Sequence, residues 1–272
     1  MTTYFSGLAA LLVAGAAVVA GWALWSKFGD RVQVSDRSAV LLPENVELRG
    51  AAPWVPGDLK AEALRDASLD GGLPLDDTEL PRRLARAFDM QPWVRQVVRV
   101  ELRHPAGALV EIRCREPVAM VGVPGGLLAV DAEAVVLPSA DFTAESAAAF
   151  PKITGIESSP QGQAGVSWGD PVVEEGAALA AALGPEWRAL RLVTCRPVRA
   201  AGVADRQWEL GGEGDLAILF GSSPGREREG EPTAAAKIAQ LQRLAEEPIL
   251  TGRFDLTKPP LPQPEVPSIP ER

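Results

Sequence analysis

The residues of this chain that could carry covalent or ionic chemistry are few and scattered. There is one histidine, His104, two cysteines, Cys114 and Cys195, and, ahead of expected helices, two adjacent carboxylate pairs, Asp76-Asp77 and Glu174-Glu175. A general base or a metal ligand works only with partners at set positions, and His104 has none nearby; it sits in a His-Pro-Ala-Gly turn. Two cysteines are too few for a disulfide framework or a structural zinc site. Cys114 continues the apolar alternation of its segment, which makes it a small core residue. Paired carboxylates hydrolyse glycosides only when they face each other across a sugar-sized cleft. Here each pair precedes an expected helix, where acidic groups cap open N–H groups and complement the helix dipole. Gly211-Gly212-Glu213-Gly214-Asp215 has the composition of a nucleotide or calcium loop, but it lies between two apolar runs and reads as a hairpin turn. The sequence contains no phosphate loop between a strand and a helix, no nucleophile elbow and no metal-ligand spacing. The expectation is a non-enzymatic protein with no catalytic residue, no cofactor and no metal.

Composition narrows the partners. The chain has 272 residues, a formal net charge of −9 and a pI near 4.9. Sequence-independent nucleic-acid binding depends on a basic face, so this balance argues against it.

The elements that would position any site begin with an apolar run. Gly7 to Trp25 carries no charge and is long enough, at 1.5 Å per residue, to span a hydrocarbon core of roughly 30 Å. Trp22 and Trp25 stand near its far end, where aromatic residues favour the headgroup region. The alternative is a cleavable signal peptide, with Ala14-Gly15-Ala16 as the cleavage site. The run is long for a signal peptide and no Lys or Arg precedes it, so a membrane helix over 7–26 is expected, after a tail over 1–6 and before a stalk over 27–42. Lys27, Arg31 and Arg37 follow it, and a literal positive-inside count opposes an extracytoplasmic C-terminal bulk.

From 43 to 121 the pattern is strand, helix, helix, strand, strand. Pro43 to Gly50 reads as a short strand. Asp58 caps a helix whose Leu59, Ala63, Leu64 and Ala67 share a face. A second helix starts at Asp77 or Thr78, tolerates Pro81 in its first turn, and buries Leu80, Leu84, Ala87 and Phe88. Pro92 to Ala119 then forms a hairpin. Val94, Val98, Val100 and Leu102 share one face of its first strand, and Val110, Ile112 and Cys114 alternate with charged residues in its second. Such a hairpin needs helices against its apolar face, and the two preceding helices supply them. From 122 to 258 the expectation is a mainly antiparallel β-domain with flanking helices near Glu174–Leu183 and Thr233–Glu246. The tail over 259–272 is proline-rich and expected to be disordered, a docking motif for a proline-reading groove being the alternative.

Particular residues carry a resemblance. Pro92-Trp93-Val94 opens the hairpin and Arg115-Glu116-Pro117-Val118-Ala119 follows it. Ala129-Val130-Asp131 precedes Val135-Val136-Leu137, and Phe150-Pro151-Lys152-Ile153-Thr154-Gly155 comes next. Trp208-Glu209-Leu210, Leu219-Phe220-Gly221, Lys237 and Phe254-Asp255-Leu256 complete the set. In order and spacing, over Pro43 to Lys258, the chain resembles the FtsQ/DivIB cell-division proteins. Ala134 stands where that family has a turn glycine, Thr257 replaces an arginine, and a basic N-terminal tail is missing.

The resemblance implies an α+β fold: an N-terminal transmembrane helix, a POTRA domain (β-α-α-β-β) and a β-domain. It implies a bitopic scaffold in the inner (cytoplasmic) membrane, gathered at the division septum, with most of the chain outside the cytoplasm. The implied partners are bitopic coiled-coil division proteins of the FtsB/DivIC and FtsL type, bound by strand addition at the C-terminal sheet edge, and self-association stays open. Arg253, Phe254, Leu256 and Lys258 are the partner-contact positions implied, the alternative being that Phe254 and Leu256 face the core and only the backbone edge binds. An envelope adaptor or polypeptide-transport accessory built on a POTRA domain, not dedicated to division, is the alternative.

Overall fold

The computed structural model describes residues 40–199, 205–246 and 251–258, and these fall into two compact units. The first comprises 40–52, 57–90 and 96–113. It opens with β1 (Val40–Leu41), a 3-10 turn at Pro43–Asn45 and β2 (Val46–Arg49). Then come α1 (Leu59–Asp66), β3 (Leu73–Pro74) and α2 (Leu80–Asp89), and finally β4 (Val94–Arg103) and β5 (Gly107–Cys114). Asp58 caps α1 by accepting the Ala61 N–H at 3.0 Å, and Pro81 sits in the first turn of α2, where its missing N–H costs nothing. β1 and β3 pair with each other, and the other strands form a sheet in the order β2-β5-β4. Leu59, Ala63, Leu64, Leu80, Leu84 and Phe88 of the helices are buried, as are Val46, Val110 and Ile112 of the sheet. Each such large side chain contributes about 1.5–3 kcal/mol by leaving water. Burial stops short of β4: Val98 and Leu102, on the expected apolar face, remain 43% and 39% exposed.

The second unit comprises 53–56, 91–95 and the described residues from 114 onward. Its strands are β6 (Ala119–Val123), β7 (Gly126–Val130), β8 (Lys152–Ile153), β9 (Leu192–Val198), β10 (Gln207–Gly212), β11 (Ala217–Gly221) and β12 (Arg253–Asp255). They form one seven-stranded sheet in the order β12-β11-β10-β9-β8-β6-β7. Helices α3 (Ala144–Ala148), α4 (Pro171–Leu183), α5 (Glu186–Ala189) and α6 (Ala234–Ala245) interrupt them. The core holds Val121, Ile153, Leu179, Leu183, Trp168, Trp208, Ile218 and Phe220. α4 lies close on the sheet at Gly176, where an added Cβ would come within 2.8 Å of the Trp208 ring.

Two parts of the expected fold class need correction. The larger sheet is mixed, not mainly antiparallel: β8 runs parallel to both β6 and β9, and β11 parallel to β12. The physical reason lies in the connections. Parallel neighbours need a long crossover, usually helical, and α4 joins β8 to β9 just as α6 joins β11 to β12. The helices expected beside an antiparallel sheet are the crossovers that make it mixed. The second correction concerns the membrane helix. No helix among the described residues is long and apolar enough to cross a membrane. The 7–26 segment expected to do so lies outside those residues, as do the 1–6 tail, nearly all of the 27–42 stalk and the 259–272 tail.

The turn after β7 explains one departure in the sequence. Asp131 accepts the Glu133 and Val135 N–H groups at 3.0 and 2.8 Å, which places Ala134 at φ 56°. That is left-handed backbone, where glycine is at ease and a Cβ costs roughly 1–2 kcal/mol. Ala134 is nevertheless fully buried, so its methyl group recovers part of that cost. Ala134→Gly is therefore expected to shift the unfolding free energy by less than about 1 kcal/mol, relief of strain offsetting a lost buried methyl. Ala134→Val, β-branched at positive φ, is expected to lose more than about 2 kcal/mol. Urea unfolding of the three proteins checks both.

Candidate functional site

β12 ends the seven-stranded sheet, and the polarity of its backbone follows from two bonds. The Ala217 N–H donates to the Gly252 carbonyl at 3.0 Å, and the Leu256 N–H donates to the Leu219 carbonyl at 2.9 Å. Main-chain polar groups alternate in direction along a strand. Gly252, Phe254 and Leu256 therefore turn theirs toward β11, while Arg253 and Asp255 turn theirs away from the sheet. Among the described residues no strand pairs with that outer side. The Thr257 N–H and hydroxyl both donate to Asp255 Oδ1, at 2.9 and 2.6 Å, and this closes the strand.

Side chains alternate across the sheet as well. Leu256 is fully buried and Phe254 packs half-buried against the same core. Arg253 and Asp255 point to the outer face, and Arg253 and Lys258 are the most exposed of the four expected contact residues. Arg253 completes a charge ladder across that face: its Nη2 lies 3.5 Å from Glu209 of β10, whose other oxygen takes a 2.9 Å bond from Arg196 Nε of β9. The fold thus splits the four positions. Arg253 and Lys258 stand exposed at the surface, whereas Phe254 and Leu256 hold the strand in place.

What anchors β12 from behind is a buried ionic cluster. Lys237, on α6, is fully buried; its Nζ lies 2.5 Å from Glu231 Oε1 and 4.6 Å from the centre of the Phe220 ring. Glu231 also accepts the Ser222 N–H and hydroxyl, both at 2.7 Å, and the Arg228 N–H at 3.2 Å. Gly221 makes this possible. A Cβ there would fall 2.2 Å from Glu231 Oε1 and 2.8 Å from the Thr257 methyl. The loop after β11, the crossover helix and the end of β12 therefore meet at one point. Burial alone would raise the Glu231 pKa, but the hydrogen bonds from Lys237, Ser222 and Arg228 outweigh it and hold the carboxyl down at about 2.

A second convergence joins residues far apart in the chain. Arg115 Nη1 donates to Asp131 Oδ2 at 2.7 Å, with both side chains largely buried. The Arg115 N–H donates to the Trp93 carbonyl at 2.8 Å, and the Trp54 indole donates to the Arg115 carbonyl at 2.9 Å. The Trp93 indole reaches Asp141 at 2.8 Å. Arg115, Asp131, Phe150, Pro151, Trp187 and Arg188 line a cleft of about 760 Å³.

The remaining sequence candidates fall into structural roles. Asp77 accepts the Glu79 N–H at 2.9 Å and pairs with Arg83 at 2.9 Å at the start of α2; these contacts lower its pKa. Glu174 is in the first turn of α4, but the cap of that helix is Asp170, which accepts the Val172 N–H at 2.8 Å. Glu175 does more than compensate a dipole, since it is buried between Arg206 at 3.0 Å and Arg226 at 3.2 Å. Gly211 to Asp215 joins β10 to β11 as a hairpin. His104 is an exposed turn residue, and Cys195 is buried, which pushes its thiol up. No disulfide joins Cys114 and Cys195. Among the described residues no group of three His, Cys, Asp or Glu is arranged to hold a metal.

Sequence reasoning did not find the Glu231–Lys237 pair. The signal was present: Lys237 lies one helical turn before Leu241, on the apolar stripe of α6, where a charge must be paired if it is buried. No family model matches the chain, and no curated protein matches it.

Removing one partner of a buried ion pair strands the other charge, at a cost of about 3–5 kcal/mol. Glu231→Gln and Lys237→Ala are both expected to lose stability on that scale in urea unfolding. The pH dependence has a definite sign. Because the folded-state pKa of Glu231 lies below its ordinary value of 4.5, its contribution is complete above about pH 4.5 and fades as pH falls toward about 2. The gap between wild type and Glu231→Gln should therefore narrow across that window.

Proposed function

We propose that this protein is a non-enzymatic scaffold of the bacterial division machinery, and that the free edge of β12 is where it takes a partner strand. The observation that carries this reading is the outward turn of the Arg253 and Asp255 main chain at the end of a sheet. An edge strand presents unpaired donors and acceptors to any extended segment, and alternate side chains select among such segments. A bitopic coiled-coil protein of the FtsB/DivIC type fits as the partner, with its strand laid along β12, where the exposed Arg253 and Lys258 favour acidic side chains.

The residues quoted for the resemblance to the FtsQ/DivIB proteins support the division assignment by their placement. Trp93, Arg115 and Asp131 come from three separate motifs and meet in one bonded cluster. Gly221, Lys237 and the residues around Phe254 come from three more and meet behind β12. Ala134 adopts the positive φ that a turn glycine would serve. Each is a physical reason for a residue type at a position, independent of the others.

The test separates backbone from side chain. Asp255→Pro removes an outward N–H without touching the bonds to β11, and proline is tolerated at a free strand edge. It is expected to weaken capture of the FtsB/DivIC-type partner by at least about tenfold, a lost hydrogen bond compounded by the ring standing in the partner's path. Asp255→Ala keeps the N–H and is expected to retain binding. Equal capture by both variants would remove β12 as the docking edge. For the wider role, a fluorescent fusion is expected at midcell; uniform envelope signal would favour an adaptor that is not dedicated to division.

A further inference from the structure

The outer edge of β4 is a long open sheet edge with an uncommon side-chain pattern. β4 ends the sheet of the first unit, and among the described residues no strand pairs with its outer side. Exposed edges are usually kept short or interrupted by proline, yet β4 runs for ten residues without one. Ion pairs set which residues share a face. Arg99 reaches Glu111 of β5 at 3.5 Å and Arg103 reaches Glu47 of β2 at 2.6 Å. Arg99, Glu101 and Arg103 therefore lie on the polar face, and Val98, Val100 and Leu102 on the face that holds Val46, Val110 and Ile112. Val98 and Leu102 form an exposed apolar rim on that second face.

We infer that a second copy of this chain pairs with β4, strand antiparallel to strand, about a two-fold axis through Val100. In that register Val100 lies opposite Val100, and Val98 opposite Leu102 in both directions, so the two rims merge into one apolar strip. On the other face Arg99 lies opposite Glu101, again in both directions, giving a reciprocal pair of opposite charges. Directly opposed residues are the unit of sheet stabilisation, and like charges in those places are unfavourable. The neighbouring registers fail on this ground. A two-fold through Arg99 sets Arg99 against itself; a two-fold through Glu101 sets Glu101 against itself and Arg99 against Arg103. An isologous contact must be self-complementary, and among these central registers only the one through Val100 is. The product is a continuous six-stranded sheet in which the open edges of both β4 strands disappear. This inference rests on β4 alone and stands apart from the division reading.

Charge reversal tests it. The full-length chain in a mild detergent is followed by sedimentation equilibrium from about 1 μM to about 0.5 mM, the range in which a modest edge contact populates. Wild type is expected to dimerise. Arg99→Glu places four acidic groups across the axis and Glu101→Arg four basic ones, so each alone is expected to dimerise at least about tenfold more weakly. An equimolar mixture of the two variants is expected to associate as wild type does, because both cross-strand pairs become opposite again. The double variant Arg99→Glu/Glu101→Arg is expected to recover dimerisation by itself. A monomeric wild type, undiminished self-association of either single variant, or no association in the mixture would each overturn the pairing. Circular dichroism on every variant confirms that the comparison is between folded chains.

Discussion

Half of the main-chain polar groups of an edge strand have no partner inside their own sheet, and both larger sheets of this protein end in such strands. The constraint is severe, because an amide or carbonyl left unpaired away from water costs about 1–3 kcal/mol. At the edge itself water meets that need, but any extended segment that arrives can replace it. The edges at β12 and β4 are made differently. β12 is three residues long and is held by its inward side chains and by the cluster behind it. β4 is ten residues long and keeps apolar side chains at its rim. A short, firmly seated edge suits a defined partner strand, while a long one with alternating charge suits its own copy.

The position of β12 depends on how the second sheet is wound. α6 carries the chain from β11 over the sheet and returns it parallel to its starting strand, so the last strand adds to the rim instead of filling a gap. Nothing in three residues of strand could hold that arrangement unaided. Leu256 in the core, Phe254 beside it and the Glu231–Lys237 pair against Gly221 and Thr257 supply the rest. A buried pair of this sort is costly to assemble and more costly to break. Its value here is positional: it fixes where the crossover helix and the end of the strand meet.

Much of the first unit was legible because its signals are local. Asp58, Pro81 and the 3.6-residue spacing of Leu80, Leu84 and Phe88 set both helices, and alternation set β2, β4 and β5. What alternation did not reveal is that the apolar face of β4 stays partly open, since burial depends on how far two short helices extend over a sheet. In the second unit the elements were legible but their winding was not. β8 has only two residues, and its place at the centre of a parallel run is decided by distant pairing with β6 and β9. The candidate site was half legible. Phe254-Asp255-Leu256 marked a strand that does lie at a sheet edge, and alternation decides between the two readings by placing Phe254 and Leu256 inward; the outward main chain at Arg253 and Asp255 depends on a parallel register that no local pattern encodes. Lys237 stands out in the sequence as a motif residue; its partner Glu231 lies in a loop whose path only the fold determines.

The central claim is that a partner strand bonds to the outward main chain of β12. Residue-resolved amide hydrogen exchange, with and without the FtsB/DivIC-type partner, measures those bonds one by one. Arg253 and Asp255 amides should become protected on binding, while the Phe254 amide, already turned to β11, should change little. Unchanged exchange at Arg253 and Asp255 in a partner-saturated sample would contradict strand addition at this edge.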